Sequence, residues 1–495
     1  MDNEHRSADT NSVLTLPASL PSRDEAHDRE PTTPYRWRWL VLWLVLGAEI
    51  VDLLDATVVN VASPSIHRAL GGSESVMQWI GAGYTLAFAV MLITGGRLGD
   101  IFGRKRMFLI GAAGFGIASI LCAVAQDPAM LVTSRILQGA LGAMMIPQGF
   151  GILKAVFPPQ EIGKAFGAFG PAMGLSAVGG PILAGWLIDA DWFGTGWRMI
   201  FLINVPIVLV AVLGSIKVMP EVRSPERPRL DGVGMVLLTA ASAMLIYPLI
   251  QGRELGWPTW IFGLLAGSPA AFAAFVAYER RRASSPLIEA DLFARRAFTS
   301  GLAVFLAFFG ALTGFMLVFG LFTQLGLGFG PLKAGLAGAP MAFGIAVGAV
   351  VGHPLTERLG RRLIHLGLST MIVAFAAFTA TVAALGADVS LGALIPSTLV
   401  AGIGMGLGLG PIFGTVLTGV DDHQVGSASG VLNAVQQFSG AVGIAVIGTI
   451  FFNLLSSGAD FGTAMARTSG ISVGLLVVAF GLAFLLPRQA RAEQE

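Results

Sequence analysis

Charge and cysteine are scarce in this sequence. Charged residues make up 12% of the 495 residues, whereas soluble domains usually have about 25%. The single cysteine, Cys122, excludes an intrachain disulfide. No Gly-x-x-x-x-Gly-Lys-Ser/Thr loop for nucleotide phosphates occurs, and no metal-ligand cluster or nucleophile arrangement is evident. We therefore expect no cofactor, no use of ATP, no enzymatic reaction and, at a formal net charge of +1, no nucleic-acid partner.

Long apolar runs are abundant instead. Hydrophobic residues reach 54% and the mean hydropathy is +0.74, so we predict an all-α polytopic membrane protein. The 65 glycines suit helices that pack closely in lipid. Taking apolar runs of about 18 residues or more as spans, we read fourteen, near 39–62, 76–97, 107–126, 129–152, 165–188, 199–219, 232–251, 259–278, 299–322, 334–354, 363–385, 391–416, 427–452 and 469–486.

Three carboxylates lie inside the first apolar run. Glu49, Asp52 and Asp55 follow one another at steps of three residues, so they fan over about 120° of one helix face. An ionised acid at such depth costs about 2.5–3.5 kcal/mol on insertion scales. We therefore expect the three to face protein or water and to act as proton sites or as contacts for a cationic substrate. No other Asp or Glu lies in a predicted membrane interior.

Two loops on the same side of the predicted membrane have similar sequences. The segments 95–105 and 352–362 share Gly, Leu, an acid, Gly and two basic residues at one fixed offset. The repeat indicates two homologous halves, hence a six-plus-six core with two additional helices between them. The alternative, that the basic residues only fix topology, leaves the matched acids and glycines unexplained. The residues that we assign to gating in these loops are Gly96, Asp100, Gly103, Arg104, Glu357, Gly360 and Arg361.

Basic residues predict the orientation of the chain. Arg and Lys concentrate in alternate loops, for example at 104–106 and 280–282, and the intervening loops hold few. By the positive-inside rule both termini lie in the cytoplasm. We expect a disordered cytoplasmic tail, an N-terminal six-helix bundle, two additional helices with their linkers, a C-terminal six-helix bundle and a cytoplasmic C-terminal tail, at 1–35, 36–220, 221–296, 297–486 and 487–495.

The segment 96–105 resembles the signature loop of the major facilitator superfamily. The fourteen spans are similar to those of its branch of drug:proton antiporters with fourteen helices, and the segments 54–62 and 197–206 resemble motifs of the first and sixth helices of that branch. The resemblance covers nearly the whole chain beyond the tail. It implies alternating access around a central cavity and export driven by inward proton flow.

Arg135 is the only basic residue well inside a predicted span. It lies about 10 Å below the outer surface, at a depth similar to that of Asp55. We expect the two side chains to pair and Arg135 to respond when Asp55 is protonated. The sequence around Arg135 resembles the family's fourth-helix arginine motif, which is linked there to proton coupling. A static structural ion pair is the alternative.

Small residues crowd the fifth predicted span. The stretch that contains Gly174, Gly180 and Pro181 lets a neighbouring helix approach closely and loosens the backbone. It resembles the antiporter motif of the family, which marks exporters. Ordinary packing through small residues is the alternative.

Other side chains in the spans are candidates to line a cavity. Adaptable apolar and aromatic walls suit varied lipophilic ligands, while core packing and interhelical hydrogen bonding are the alternatives. The candidates are Asn60, Gln138, Met145, Gln148, Phe315, Asn433 and Gln437.

These features predict a monomeric, proton-coupled antiporter in the bacterial inner membrane that exports lipophilic or cationic drugs or antibiotics. Its expected partners are small amphipathic molecules, protons and the lipid bilayer. Two alternatives stay open: a proton-coupled transporter of one dedicated metabolite, and a membrane sensor or binding protein with a transporter's architecture.

Overall fold

The computed structural model describes residues 35–223, 230–281, 290–417, 420 and 425–487. These residues form helices, turns and short connections, and no β-strand occurs among them. The two predicted tails fall outside the described residues except for Tyr35 and Pro487.

The helices in the first part of the chain are α1 (Arg38–Leu70), α2 (Glu74–Phe102), α3 (Arg104–Ala123), α4 (Pro128–Val156), α5 (Pro159–Gly167), α6 (Phe169–Ala190), α7 (Met199–Leu202) and α8 (Asn204–Val218). A hairpin of α9 (Gly232–Gln251) and α10 (Thr259–Arg281) follows. The remaining helices are α11 (Ala290–Ala294), α12 (Arg296–Leu321), α13 (Pro331–Gly352), α14 (Thr356–Leu359), α15 (Arg361–Leu385), α16 (Leu391–Leu417), α17 (Val425–Ser456) and α18 (Phe461–Ala483).

Twelve helical stretches within the described residues are long and apolar enough to cross a membrane. They are α2, α3, α4, the stretch Gly196–Val218 that contains α7 and α8, α9, α10, α12 with the turn after it, α13, α15, α16, α17 and α18. The prediction of an all-α polytopic protein is confirmed. Helix α1, which carries the three acids, is not among the twelve, and neither is α6.

Two predicted spans are each divided by one turn residue that keeps helical backbone angles, Ala168 (φ −72°, ψ −21°) and Ile203 (φ −64°, ψ −23°). Helix α5 ends at Gly167 before α6 begins at Phe169, and α7 ends at Leu202 before α8 begins at Asn204. Pro206 has no N–H to donate to the carbonyl of Leu202, which lies four residues earlier, so one hydrogen bond of the helical ladder is missing there. The apolar pattern alone could not locate these two turn residues.

Helices α1–α8 and α12–α18 pack into two groups. In the first group α2 and α3 pack along α4, and α1 packs along α6 and α8. In the second, α13 and α15 pack along α16, and α12 packs along α17 and α18. The groups meet where α2 runs along α17 and α6 runs along α13, and α9 contacts both α2 and α17.

The two groups are joined at the end of the helices that is predicted to face outside. Gln78 on α2 donates from Nε2 to the carbonyl of Ile444 on α17, at 3.2 Å. At the same end, Gln324 Nε2 in the turn after α12 donates to the carbonyl of Val61 on α1 at 2.8 Å. The backbone amide of Leu332 on α13 donates to Asp189 Oδ2 on α6 at 3.1 Å. These hydrogen bonds close the outer end of the interface between the groups.

Candidate functional site

Asp55 is fully buried on α1 and is held by three donors from two other helices. The Arg135 guanidinium on α4 forms an ion pair with Asp55 Oδ2. The other oxygen, Oδ1, accepts hydrogen bonds from Gln138 Nε2 on α4 at 3.0 Å and from Asn204 Nδ2 on α8 at 2.7 Å. The predicted pairing of Asp55 with Arg135 is therefore present. A charged pair away from water needs such a complete set of partners.

Arg135 is also held by groups other than Asp55. Its Nε donates to the carbonyl of Ile80 on α2 at 3.2 Å, and its Nη1 donates to Gln138 Oε1 at 2.7 Å. The guanidinium carbon lies 4.2 Å from the ring centroid of Tyr84 on α2, a cation–π geometry. Arg135 thus ties α1, α2 and α4 together at one point.

Asp52 lies one turn before Asp55 and has a separate partner. Its Oδ1 accepts a hydrogen bond of 2.5 Å from the hydroxyl of Tyr84. Both side chains are buried, Asp52 being 4% exposed and Tyr84 0%. The ring of Tyr84 lies under the guanidinium of Arg135, which is paired with Asp55, and its hydroxyl donates to Asp52. This tyrosine therefore contacts Asp52 directly and Asp55 through Arg135.

Glu49, one turn further toward the start of α1, is only partly buried. It has no hydrogen-bond or ion-pair partner among the residues that the structure describes. Within the described part of the chain the three acids therefore differ in their surroundings: Asp55 is ion-paired, Asp52 accepts a hydrogen bond from one neutral donor, and Glu49 has neither kind of partner. The described part of the chain contains no group of three His, Cys, Asp or Glu residues that could hold a metal ion, so the three acids are not a candidate metal site.

The first predicted gating loop is fastened by its arginine. Arg104 Nη2 and Asp100 Oδ1 form an ion pair at 2.8 Å, and the backbone N–H of Arg104 donates to the carbonyl of Val222 at 2.9 Å. Gly96 lies on α2, four residues before Asp100. Gly103 ends α2 with φ at +102°.

The second predicted gating loop is built in a similar way. Gly360 ends α14 with φ at +48°. Arg361 Nη1 donates to the carbonyls of Phe484 and Leu486 beyond α18, at 2.8 and 2.7 Å. Glu357 lies within α14.

The predicted antiporter motif lies on α6 between the two helix groups. Gly180 faces α1, where a Cβ on this glycine would overlap Thr57 Oγ1. The backbone of Pro181 faces α13, where a Cβ on Gly335 would overlap the Pro181 carbonyl oxygen. Gly174 lies six residues before Gly180 on α6. These contacts agree with close packing, and a role in antiport stays a prediction.

The candidate cavity residues fall into two sets. Asn60, Asn433 and Gln437 are partly exposed. The other candidates are buried, and they are Gln138, Met145, Gln148 and Phe315. Gln148 donates to the carbonyl of Gly95 at 2.6 Å, and Phe315 packs on Phe375 with ring centroids 4.4 Å apart. A ligand could reach the buried set only after the helices rearrange.

Two residues of the site are absent from the sequence-based assignments. Tyr84 and Asn204 each stand as a polar side chain in an otherwise apolar run, and a buried polar group needs a hydrogen-bond partner. That signal predicts a partner for each. It does not identify the partner, because the sequence does not give the neighbouring helix that each side chain faces.

The helical architecture and the buried charged network on α1, α2, α4 and α8 define a polytopic membrane transporter. The chain belongs to the Major Facilitator Superfamily, whose family profile matches residues 45–444. This agrees with the resemblance carried by the segment 96–105.

Several named relatives are similar over most of their length. The chain is 49% identical to the "Probable actinorhodin transporter" of Streptomyces coelicolor, over 93% of this chain and 80% of that protein. It is 35% identical to the "Puromycin resistance protein pur8" of Streptomyces alboniger, over 91% and 89%. It is 32% identical to the "Tetracenomycin C resistance and export protein" of Streptomyces glaucescens, over 86% and 79%.

Solved structures share the fold at low sequence identity. A POT family peptide transporter aligns with a TM-score of 0.66 and 16% identity, covering 92% of this chain and 99% of that one. A D-xylose-proton symporter aligns with a TM-score of 0.62 and 15% identity, covering 92% and 98%. At such identities the likeness concerns the fold alone.

Proposed function

We propose that this protein is an exporter that exchanges inward-moving protons for lipophilic or cationic drugs or antibiotics by alternating access. The observation that carries the proposal is the buried ion pair of Asp55 and Arg135, with two amide donors on the same carboxylate. Charged groups in the interior of a membrane protein are costly and usually mark a pathway for ions or substrate.

Protonation of Asp55 would change what holds the helices together. A proton added to Asp55 forms an O–H bond and removes the negative charge that Arg135 balances. The contacts from α4 and α8 to α1 then weaken, since charge-assisted hydrogen bonds are stronger than neutral ones. Loss of the proton to the cytoplasmic side restores them. Two packing arrangements selected by one proton are what alternating access requires.

We further propose fourteen membrane spans, with α1 and α6 added to the twelve. Helix α1 has 33 residues and α6 has 22, lengths of about 50 and 33 Å that exceed the hydrocarbon thickness of a bilayer. The domain boundaries at 36–220, 221–296 and 297–486 follow from this count. The protein would act as a monomer in the bacterial inner membrane with both termini in the cytoplasm.

The two gating loops would control access from the cytoplasm. The Asp100–Arg104 ion pair and the contacts of Arg361 beyond α18 join neighbouring helices at that side. These gating loops would also include Gly96, Gly103, Gly360 and Glu357. On α6, close packing at Gly174, Gly180 and Pro181 would let the helix slide along α1 and α13.

A carrier of one dedicated metabolite is the second candidate. The relatives described above are each named for a single compound, actinorhodin, puromycin or tetracenomycin C. If this chain has such a narrow range, the partly exposed polar residues Glu49, Asn60, Asn433 and Gln437 would be the candidates to contact that compound. Accumulation in cells of actinorhodin, puromycin, tetracenomycin C and ethidium separates the candidates, because only a multidrug exporter lowers several of them.

The decisive experiment measures proton release on addition of these compounds to proteoliposomes. We expect the wild type to release protons and Asp55→Asn to release none. Asp460→Asn is the matched control, since Asp460 caps α18 outside the buried network and Asn is also a good cap. Proton release from Asp55→Asn equal to that from the wild type would overturn the proposal.

A further inference from the structure

The buried cluster on α1, α2 and α4 contains two carboxylates and one guanidinium. Arg135 balances the charge of Asp55, with which it forms an ion pair. Asp52 receives one hydrogen bond, from the neutral hydroxyl of Tyr84. If both carboxyl groups were ionised, the cluster would carry an uncompensated negative charge away from water, which is the costly arrangement. One proton on Asp52 makes the cluster neutral.

We propose that Asp52 and Tyr84 form a second proton site, separate from Asp55, and that Asp52 carries a proton in the arrangement seen here. This inference rests on the proposed proton-coupled function and names the group that holds the proton while Asp55 is ion-paired. In this arrangement the proton is bonded to Asp52 Oδ2, and Oδ1 continues to accept the hydrogen bond from Tyr84.

Tyr84 is the positioning residue that links this proton to the ion pair. Its hydroxyl lies 2.5 Å from Asp52, and its ring centroid lies 4.2 Å from the guanidinium carbon of Arg135. When Asp55 gains a proton, Arg135 loses its counter-charge and favours a negative charge on the next carboxylate, which is Asp52. The O–H bond of Asp52 then breaks, its proton passes to water on the cytoplasmic side, and Tyr84 keeps its own proton. The proton on Asp55 afterwards moves to the vacated Asp52, toward the cytoplasmic side, so that one proton enters and one leaves in each cycle and the ion pair of Asp55 with Arg135 forms again.

The exit from Asp52 leads toward Glu49. Exposure rises along α1 from Asp55 and Asp52, both buried, to Glu49, which is partly exposed. The titratable or charged groups around Asp52 are Glu49 and Asp55 on α1, Tyr84 on α2 and Arg135 on α4. The other long helices packed on α1 carry charge only near their ends, at Asp189 on α6, Lys217 on α8, Arg296 on α12 and Lys333 on α13.

Infrared difference spectroscopy of the purified protein in lipid tests this site, because a protonated carboxyl group has its own C=O stretching band. The measurement is made with no substrate added. Between about pH 6 and 9, where exposed carboxylates stay ionised, we expect the wild type to show a C=O band from a protonated carboxyl group. Asp52→Asn should lose the band, and Asp52→Glu should restore it. Tyr84→Phe keeps the ring but removes the hydrogen bond, so it should shift the frequency of the band. Tyr247→Phe, at an exposed tyrosine of α9, should leave it unchanged.

The outcomes separate this inference from the proposed function. A band that persists in Asp52→Asn, or one that disappears instead in Glu49→Gln, overturns the inference even if transport is proton-coupled. A band that depends on Asp52 and Tyr84, in a protein that releases no protons with any compound, keeps the site and overturns the proposed function. Because Tyr84→Phe is nearly isosteric, its frequency shift remains a test if Asp52→Asn does not fold.

Discussion

Gly103 and Gly360 take the same structural place in the two halves of the chain. Each has a positive φ, +102° and +48°, and each separates one helix from the next. The backbone N–H of Arg104 donates to the carbonyl of Val222 after α8, whereas the guanidinium of Arg361 donates to the carbonyl of Phe484 after α18. Both turns therefore contain a glycine with positive φ, but their backbones differ, since ψ is 132° at Gly103 and −126° at Gly360.

Gly103→Ala should impair both stability and transport. A side chain at this φ costs about 1–3 kcal/mol, and the new Cβ would overlap Glu221 Oε1. Gly458→Ala is the matched control, because Gly458 has φ at +92° but open space where its new Cβ would lie. Melting temperature and substrate efflux measure the two effects. Equal efflux by the two variants would contradict a specific role for the Gly103 turn.

Arg135→Lys should abolish proton-coupled transport although it preserves the charge. Arg135 uses Nε for the Ile80 carbonyl and Nη1 for Asp55 and Gln138, and a lysine ammonium cannot make this planar set of contacts. Arg135→Ala should also destabilise the fold by about 3–5 kcal/mol, since it leaves a buried carboxylate unpaired. Full coupled transport by Arg135→Ala would show that the pair has no part in coupling.

Gln78→Leu should favour opening of the outer end. The Gln78 amide donates to the carbonyls of Ile444 and Ala445 and to Thr449 Oγ1, at 3.2 to 3.3 Å, so its loss removes hydrogen bonds that join the two helix groups. Spin labels at the exposed residues Ser73 and Ser457, in a Cys122→Ser background, report the distance across this end.

We expect the population with longer label-to-label distances to grow in Gln78→Leu. Gln160→Leu, an exposed glutamine on α5, is the matched control and should leave the distribution unchanged. An unaltered distribution in Gln78→Leu would mean that these hydrogen bonds do not hold the outer end closed.

Acid should release the contact between Arg38 and Glu161. The Nε of Arg38 lies 2.6 Å from Glu161 Oε2, and the hydrogen bond from Arg38 lowers the pKa of the Glu161 carboxyl below its usual 4.5. A lowered pKa means that the stabilisation is present above the usual pKa and is lost as the pH falls through the lowered value. The melting temperature of Glu161→Gln should thus lie below that of the wild type at neutral pH and converge with it in acid. A gap that stays constant down to the most acid pH would contradict this.

The shared helix face of the α1 acids and the pairing of Asp55 with Arg135 could be predicted from the sequence, because both follow from the geometry of a helix. Helical steps place Asp52 and Asp55 on one face, and the distance from the ends of the spans gives similar depths for Asp55 and Arg135. A lone cation and an acid at one depth in a membrane have few other partners.

The contacts of Tyr84 and Asn204 could not be predicted in this way. Each is a single polar residue whose partner lies on another helix, and the rotation of α2 or α8 about its own axis is fixed only by packing. The turn residues Ala168 and Ile203 could not be located for a related reason, since the apolar runs continue through them. The burial of Gln148 and Phe315 likewise depends on which neighbouring helix each faces.

The most direct test measures whether a pH gradient drives accumulation of a substrate against its concentration gradient, and whether this requires Asp55. Proteoliposomes with an imposed pH gradient and a clamped membrane potential are given labelled puromycin or ethidium. We predict that the wild type concentrates the compound against its gradient, whereas Asp55→Asn only equilibrates it. If Asp55→Asn concentrates the compound as far as the wild type does, the central claim is wrong.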